Sequence, residues 1–462
     1  MEKRSSFSGS IGFVLAAAGS AVGLGNIWRF PYLAAKDGGG LFLVIYIILA
    51  LTFGFTLLMT EVSIGRKTKQ SALTAYGKLN KKWGFLGWLA SLVPFIIMPY
   101  YCVIGGWVLK YALVFIAGHG TRAAAENYFT QFITGYSEPV IYNLVFLLMT
   151  AIVIYLGVNR GIEAMSKLLM PILFVLIIGI SVYSLTIRGN ESTGGRTGMQ
   201  GFAIYVIPNL NGVTAGQVMS TVMDAMGQLF YSISVAMGIM VTYGSYYKDD
   251  DNLVKSVNRI ELFDTVVAFL AGVMIIPAVY VFLGEEGLQN AGPGLLFVAM
   301  PRIFEEMGVA GDILGALFFV MVLFAALTSC ISIMEAICSG MIDKGMTRKK
   351  ATITEGVIAL VLSTVVCLGY NALYFEAPLP GGGTGQILDI MDYLSNNVLM
   401  PLLAIGTCIL IGWVVKPKAI IDEATKNGES FKRRGLYVVM VKYVAPVLLL
   451  ALLLVSFGII KK

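Results

Sequence analysis

Residues 19–31 of the chain read GSAVGLGNIWRFP, and this stretch decides the fold. It lies within an apolar segment of membrane-spanning length, from about residue 11 to residue 35, yet it contains several glycines and a proline. Glycine weakens a helix and proline removes a backbone donor, so we predict a helix that is interrupted near Gly23 and Gly25. Within a membrane, interrupted backbone is tolerated only where it is buried in protein or lines a cavity. The stretch therefore predicts a binding site beside the interruption.

A second interruption is predicted in the middle of the chain, where residues 227–238 read GQLFYSISVAMG. This is the sixth apolar segment, so each interrupted helix is the first of a group of five. Paired interruptions at matching positions of two halves are typical of inverted-repeat transporters, which bind their substrate near the midplane of the bilayer. Freed carbonyl oxygens at such positions can coordinate a cation, and freed N–H groups at the start of a half-helix attract a carboxylate.

The composition is that of a membrane protein. The 462 residues are 57% hydrophobic and 13% charged, whereas a soluble domain carries about 25% charged residues. The apolar residues fall in runs of roughly 20, the length that crosses a bilayer as a helix. We predict an all-α polytopic membrane protein with eleven spans, at residues 11–35, 41–65, 86–117, 139–158, 164–187, 217–247, 257–283, 311–342, 352–370, 386–414 and 438–460.

The distribution of Lys and Arg predicts the orientation, because cytoplasmic loops are enriched in both residues. The most basic loops lie near residues 66–82, 248–259, 344–350 and 416–434, all on one side of the predicted spans. We therefore expect a protein of the inner cell membrane with a cytoplasmic N-terminus and, because the number of spans is odd, an extracellular C-terminus. The net charge of +6 then reflects topology in a lipid bilayer and does not indicate a nucleic-acid partner.

The residues that could carry catalysis or bind transition metals are sparse. The five cysteines are scattered through apolar segments without a CxxC pattern, and the single histidine, His119, lies in a predicted loop. This usage is unlike that of a disulfide framework or a zinc site. No nucleophile lies beside a candidate base, so the sequence does not predict an enzyme.

Four motifs together carry a resemblance to a known family. They are GSAVGLGNIWRFPY at 19–32, GQLFYSISVAMG at 227–238, LTSCISIM at 327–334 and LDIMD at 388–392. In their order and their positions on the predicted segments, they resemble the motifs of the neurotransmitter:sodium symporters, in particular the bacterial transporters of hydrophobic and aromatic amino acids.

The resemblance covers almost the whole chain and implies its organisation. It implies a fold of two five-helix inverted repeats plus one extra helix, with the first and sixth helices broken at the middle of the membrane. Many family members have a twelfth helix, which the eleven predicted spans do not include. The implied units are a first repeat at 1–190, a second repeat at 191–415 with an outer loop at 284–310, and a final unit at 416–462.

The resemblance implies two sodium sites beside the broken helices. Hard cations bind oxygen ligands, and the matching positions supply carbonyl, hydroxyl, amide and carboxylate oxygens. The implied ligands of the first site are Ala21, Asn26, Ser232 and Asp264, and those of the second are Gly19, Val22, Ala325, Thr328 and Ser329.

Asp264 is informative even without the resemblance, because a carboxylate in an apolar membrane segment is costly unless it is paired and is functional by default. Chloride-dependent family members have a neutral residue at this position and hold the anion nearby, so the resemblance implies transport without chloride. Glu61 is a further intramembrane acid, and we expect it to accept a backbone hydrogen bond near the break of the first helix.

The resemblance also implies a substrate pocket between the two breaks. Its side-chain end is apolar and offers no partner for a charged substrate, which favours neutral hydrophobic and aromatic α-amino acids. Family members that carry monoamines have an aspartate where this chain has Gly23. The implied pocket residues are Ala21, Gly25, Ile97, Tyr101, Tyr231, Ser232, Ser234, Ala236, Met237, Ser329 and Ile333.

Two gates and a hinge complete the implied site. The outer gate is expected to be an ion pair above Tyr231, and the inner gate an ion pair supported by aromatic side chains. In the fifth helix, Gly161 and Pro171 mark a hinge where the backbone could unwind locally. The implied gate residues are Arg29 and Asp392 outside, and Arg4, Asp343, Phe7 and Tyr246 inside.

We therefore expect a symporter that imports neutral hydrophobic or aromatic L-amino acids by alternating access, with two Na⁺ ions, no chloride requirement and no obligatory protein partner. Two alternatives stay open. One is the same fold carrying another small zwitterion, such as a betaine or a β-amino acid. The other is a membrane sensor that binds an amino acid without moving it, although we expect a sensor to carry a soluble signalling domain and the sequence predicts none.

Overall fold

The computed structural model describes residues 5–208, 213–289, 291–380 and 382–460. In this part of the chain nearly all regular structure is helical, and the strands are limited to an antiparallel pair, Ala377–Pro378 with Thr384–Gly385. The long helices are helix 1 (Ser10–Ala21 and Gly25–Lys36), helix 2 (Gly40–Thr68), helix 3 (Lys81–Ile116), helix 4 (Glu138–Gly157), helix 5 (Ala164–Thr186), helix 6 (Ala215–Ser232 and Ile239–Ser245), helix 7 (Leu253–Gly287), helix 8 (Val309–Asp343), helix 9 (Arg348–Leu368), helix 10 (Ile387–Val414) and helix 11 (Arg434–Ser456).

These helices match the eleven predicted spans in order and approximate position. Over the described ranges, eight continuous helical stretches are long and apolar enough to cross a membrane. One of them, Glu138–Thr186, contains both helix 4 and helix 5, which Gly157 separates with its φ of 90°. The two halves of helix 1 form a further span with a bend of 53°. Helix 6 is divided between Ser232 and Ile239.

Short helices lie in the connections between the long ones. The predicted outer loop at 284–310 contains a helical turn, Leu295–Ala299, followed by the helix Met300–Glu306. The connection between helices 10 and 11 contains Lys418–Ala424, which packs on helix 2. Further short helices include Ala72–Leu79, Gly120–Ala124, Tyr128–Ile133 and Gly198–Val206.

The core lies around helices 1, 3, 6 and 8, and the most extensive packing between helices joins helix 3 to helix 8. The outward faces of helices 4, 5, 9 and 11 expose large apolar side chains instead, including Ile152, Val175, Val361 and Val447. In a soluble protein, so large an exposed apolar surface would favour aggregation, whereas in a membrane the lipid covers it. The arrangement places the two broken helices in the protected centre of the bundle.

Candidate substrate and cation site

The break in helix 1 is held open by side chains that bond its free backbone groups. The first half of the helix ends at Ala21, and Val22 has extended backbone with φ −74° and ψ 91°. The Asn26 side chain accepts a hydrogen bond from the Gly23 N–H at 3.1 Å. From helix 6, the Gln228 amide donates to the carbonyl oxygen of Gly25 at 3.0 Å. Two of the groups that the break frees, the Gly23 N–H and the Gly25 carbonyl oxygen, are thus satisfied by neighbouring side chains.

The break in helix 6 contains strained backbone. Ser234 and Ala236 have φ of 54° and 56°, a left-handed conformation that costs a residue with a side chain of the order of 1 kcal/mol. The Ser234 hydroxyl donates to the Ser20 carbonyl oxygen at 2.9 Å, which ties this break to helix 1. The Ala236 N–H donates to the buried Glu61 carboxylate at 2.6 Å. Strain that is fixed in this way by neighbouring contacts is typical of functional sites.

Two expectations about this region need correction. Glu61 does accept a backbone hydrogen bond, but it bonds the break of helix 6 and not that of helix 1. Ala236 does not line the pocket, whereas its neighbour Met237 does. The reason is the left-handed conformation of Ala236, which turns its amide towards Glu61 and gives the chain a course that helical periodicity does not predict.

The first cluster of oxygen groups consists of Asn26, Ser232 and Asp264, from helices 1, 6 and 7. The Ser232 hydroxyl donates to Asp264 Oδ1 at 2.6 Å, and the Asn26 amide donates to the same oxygen at 2.9 Å and to Ser232 Oγ at 2.9 Å. Tyr46, from helix 2, donates from its hydroxyl to Asp264 Oδ2 at 3.3 Å. All four side chains are buried. The structure thus brings together three of the predicted ligands of the first sodium site and adds Tyr46, which sequence analysis missed.

The second cluster consists of Gly19, Ser20, Ala325, Thr328 and Ser329, from the first half of helix 1 and the middle of helix 8. The Ser329 hydroxyl donates to the carbonyl oxygens of Ser20 at 3.1 Å and of Gly19 at 3.4 Å. The Thr328 hydroxyl lies 3.2 Å from the Ala325 carbonyl oxygen. A Cβ atom at Gly19 would lie 3.2 Å from Thr328 Cβ, so glycine permits this close approach. Four of the predicted ligands of the second sodium site are therefore neighbours, and this cluster contains no ionised group.

A small cavity of about 30 Å³ lies between the two breaks. Such a volume holds only one or two water molecules, so the walls leave little free space between the two breaks in this conformation. The Tyr231 ring covers it from one side, packed so closely on Gly25 that a Cβ atom there would lie 2.6 Å from the ring. The lining contains every predicted pocket residue except Ala236, together with Ser20, Gly23, Leu24, Asn26 and Ile239.

Gly23 lies beside two hydroxyl groups of the cavity lining. A Cβ atom at this position would lie 2.9 Å from Ser329 Oγ and 3.3 Å from Tyr101 Oη. A larger residue would therefore crowd the hydroxyl groups that face the break, and glycine leaves that space to a ligand. Apolar side chains also line the cavity, among them Ile97, Met237 and Ile333.

The predicted outer gate is not closed by a direct ion pair in this conformation. Among the ion pairs of the described residues, none joins Arg29 to Asp392. The Arg29 guanidinium lies 5.8 Å from the centre of the Tyr231 ring. Asp392 accepts a hydrogen bond from Asn396 at 2.6 Å. Both charged groups lie above the pocket with other partners, so the aromatic lid is in place while the ion pair is absent.

At the opposite end, the predicted inner residues form an aromatic plug. The Phe7 ring lies 6.2 Å from that of Tyr246 and 5.7 Å from that of Tyr243, in edge-to-face contacts. Tyr246 donates from its hydroxyl to Glu335 at 2.6 Å, and Arg348 binds the same carboxylate through both terminal nitrogens at 2.7 and 2.8 Å. The Glu335–Arg348 ion pair was not among the predicted gate residues.

The other two predicted inner-gate residues are Arg4 and Asp343. Arg4 lies outside the described residues. Asp343 accepts hydrogen bonds from the Ser71 N–H at 2.7 Å and from the Thr74 hydroxyl at 2.9 Å. Its carboxylate therefore lies at the end of helix 8, against the short helix Ala72–Leu79.

The region of the predicted hinge is linked directly to the N-terminal segment. Gly161 lies in an irregular helical turn, Val158–Glu163, that joins helices 4 and 5, and Pro171 lies within helix 5. Glu163 accepts a hydrogen bond from the Ser8 N–H at 2.8 Å and pairs with Lys167 at 2.7 Å. This contact ties the turn to the start of helix 1, so movement of one is coupled to the other.

Two broken helices that enclose a gated pocket, in the centre of a bundle of membrane-length helices, define a secondary transporter of the inverted-repeat class. Comparison with known sequences identifies the family. The profile of the Sodium:neurotransmitter symporter family matches residues 4–131 and 133–462, and the chain belongs to that family. The predicted family, fold class and assignment as a sodium-dependent transporter, not an enzyme, are thereby confirmed.

Individual relatives match over nearly their full lengths. The chain is 34% identical over 469 residues to the uncharacterized sodium-dependent transporter YhdH of Bacillus subtilis, covering 99% of each protein. It is 32% identical over 471 residues to an uncharacterized sodium-dependent transporter of Haemophilus influenzae, covering 98% of each. The crystal structure of MhsT in complex with L-phenylalanine matches with a TM-score of 0.85 and 32% identity, over 98% of this chain and 100% of that chain.

Proposed function

We propose that this sodium-dependent symporter imports neutral hydrophobic or aromatic L-amino acids with two Na⁺ ions and without chloride. In this proposal the pocket between helices 1, 3, 6 and 8 opens alternately to the two sides of the cell membrane. The N-terminus is cytoplasmic and the C-terminus extracellular, in agreement with the distribution of basic loops.

The observation that carries the proposal is the position of Asp264. Its carboxylate bonds both Asn26 and Ser232 and lies beside the substrate pocket, with all three side chains buried. Together with the Ala21 carbonyl, these groups supply the oxygen ligands that a sodium ion prefers. Because the carboxylate is a fixed negative charge next to the proposed ion, no mobile anion is needed to balance it. Chloride independence follows from this local charge.

The second cluster is proposed as the second sodium site. Carbonyl oxygens of Gly19, Val22 and Ala325 and the hydroxyls of Thr328 and Ser329 would coordinate the ion. Since Gly19 lies in the first half of helix 1 and Val22 directly follows it, binding here would hold that half-helix against helix 8. Loss of the ion would release it towards the inner gate, which gives sodium a direct effect on access.

The substrate assignment rests on the polarity of the pocket. In this proposal Tyr101 and the Gly25 N–H receive the carboxylate, and the carbonyl and hydroxyl groups near Ser234 receive the amine. Ile97, Met237 and Ile333 would contact the side chain. A charged side chain would lose its hydration there without gaining a partner. The phenylalanine named in the MhsT complex is a ligand of the proposed class.

Uptake by purified protein in proteoliposomes tests the proposal. A labelled amino acid should accumulate with an inward sodium gradient and fail to accumulate with potassium. Phe, Trp, Tyr, Leu and Ile should compete with it, whereas Asp and Lys should not. Replacing chloride by gluconate should leave the rate unchanged. Competition by a betaine in place of these amino acids, or a several-fold loss of uptake without chloride, would contradict the respective part of the proposal.

A further inference from the structure

A second, larger cavity of about 350 Å³ lies at the end of the molecule that contains the inner gate. Its walls come from helix 2, the first two turns of helix 7 and the segment before helix 11. The lining includes three basic residues, Lys255, Lys432 and Arg433, and two aromatic ones, Phe55 and Phe431. No acidic side chain is among the described residues that line it.

One of the three cations is part of the wall. The Arg433 guanidinium binds the Glu261 carboxylate through both terminal nitrogens, at 3.1 and 2.8 Å, and stacks 3.5 Å above the Phe55 ring. It also donates to the Leu51 carbonyl oxygen at 2.9 Å. These contacts fix the arginine and compensate its charge, so it shapes the cavity without giving it a net charge.

The two lysines differ from this arginine. Lys255 and Lys432 are exposed, and over the described ranges their ammonium groups have neither a hydrogen bond nor an ion pair. A nearby acid is already engaged, since Asp249 binds Lys69 and Lys426 at 3.0 and 2.7 Å. Although burial opposes it, these contacts lower the pKa of Asp249 below its usual range, so that acid stays ionised and paired. The two lysines therefore bring positive charge to the cavity that no acidic side chain in its described lining compensates.

The surroundings of the cavity indicate which anion fits. Next to it along helices 2, 7 and 11 lie Leu51, Leu262 and Val439, with 50%, 62% and 50% of their surfaces exposed. These residues belong to the apolar surface that the bilayer covers. A free anion would contact only the lysines, whereas a molecule with a phosphate and long apolar chains would contact both surfaces. Basic groups at the cytoplasmic face of a membrane attract anionic lipids in this way.

We propose that this cavity binds the headgroup of an anionic phospholipid, with Lys255 and Lys432 contacting the phosphate and the acyl chains lying along helices 2, 7 and 11. The lipid would bridge the first turns of helix 7, the helix that also bears Asp264, to the segment before helix 11. The site is separate from the substrate pocket and does not depend on which amino acid is transported.

Native mass spectrometry of the full-length protein tests the assignment, with phosphatidylglycerol as the anionic probe and phosphatidylcholine as the neutral one. The test variant is the double substitution Lys255→Gln with Lys432→Gln. The matched control is Lys81→Gln with Lys82→Gln, two exposed lysines outside the cavity. Wild type and control should retain phosphatidylglycerol over phosphatidylcholine, and the test variant should lose about tenfold or more of that preference, because each basic group near a surface contributes to the attraction.

Three results would overturn the proposal. Equal loss in the test and control variants would show that the attraction is general surface charge. Equal retention of the two lipids by the wild type would show that no anionic headgroup is selected. Displacement of the bound lipid by millimolar inorganic phosphate would show that the cavity binds a free anion instead. Unchanged melting temperatures of the two variants in neutral lipid would confirm that both are folded.

Discussion

The two oxygen clusters beside the substrate pocket differ in the source of their negative charge. The first cluster contains a full carboxylate, Asp264, held by side chains from helices 1, 2 and 6. The second cluster contains only carbonyl and hydroxyl groups, from helices 1 and 8. In a low-dielectric interior an ionised ligand interacts much more strongly with a cation than a dipole does. The first cluster is therefore the stronger candidate for tight sodium binding.

The clusters also use different halves of helix 1. Asn26 of the first cluster lies beyond the break, in the half of helix 1 that contains Arg29. The guanidinium of Arg29 faces the Tyr231 ring. Gly19 and Ser20 of the second cluster lie before the break, in the half that begins beside the contact between Ser8 and Glu163. We infer that the first cluster fixes the affinity for sodium and substrate, and that the second controls release at the inner gate. The following predictions test this division.

The largest effect is expected from Asp264→Asn. Breaking a buried charge pair costs about 3 kcal/mol or more, which corresponds to a roughly 100-fold rise in the sodium concentration needed for half-maximal uptake. The matched control is Glu355→Gln, a buried acid on helix 9 outside both clusters. Uptake in proteoliposomes at varied sodium concentration is the measurement. A similar rise in the two variants would mean that Asp264 has no special relation to the ion.

Much of the architecture was predictable because hydropathy directly reflects the bilayer. Each run of apolar residues became a long helix, and the glycine-rich stretch at 19–31 broke where its sequence predicts. The ends were less predictable, since helix 9 begins at Arg348, four residues before its predicted start at 352. Polar residues beyond the membrane can extend a helix without changing the hydrophobic pattern.

The site was predictable where motifs place several ligands together, and less so where backbone conformation decides. Asn26, Ser232 and Asp264 come together as the resemblance implies. Ala236 does not line the pocket because its left-handed backbone is set by the tertiary contact to Glu61. Tyr46 was missed because a tyrosine in an apolar segment is usually only a packing residue. The separation of Arg29 from Asp392 belongs to one conformation, which a sequence shared by several conformations does not specify.

A smaller effect is expected from Thr328→Val in the second cluster. The substitution removes one neutral oxygen ligand, worth about 1 kcal/mol, and should raise the half-maximal sodium concentration about fivefold to tenfold. Thr150→Val on helix 4 is a close control, because both hydroxyls are buried and bond a carbonyl four residues earlier in their own helix. If both substitutions changed sodium dependence equally, the effect would come from the helix and not from an ion at this cluster.

The smallest effect is expected from Tyr46→Phe, which removes one hydrogen bond to Asp264 and leaves the carboxylate itself in place. The Tyr46 hydroxyl donates to Asp264 Oδ2 at 3.3 Å, and it belongs to helix 2, outside the predicted ligand set. Loss of one long hydrogen bond to a carboxylate should cost roughly 0.5–1 kcal/mol, equivalent to about a threefold weaker sodium affinity. Tyr437→Phe removes a buried tyrosine hydroxyl that bonds Thr60 instead and should leave sodium affinity unchanged. A loss as large as that of Asp264→Asn would contradict the assignment of Tyr46 as a supporting residue, because the carboxylate would then depend on this contact alone.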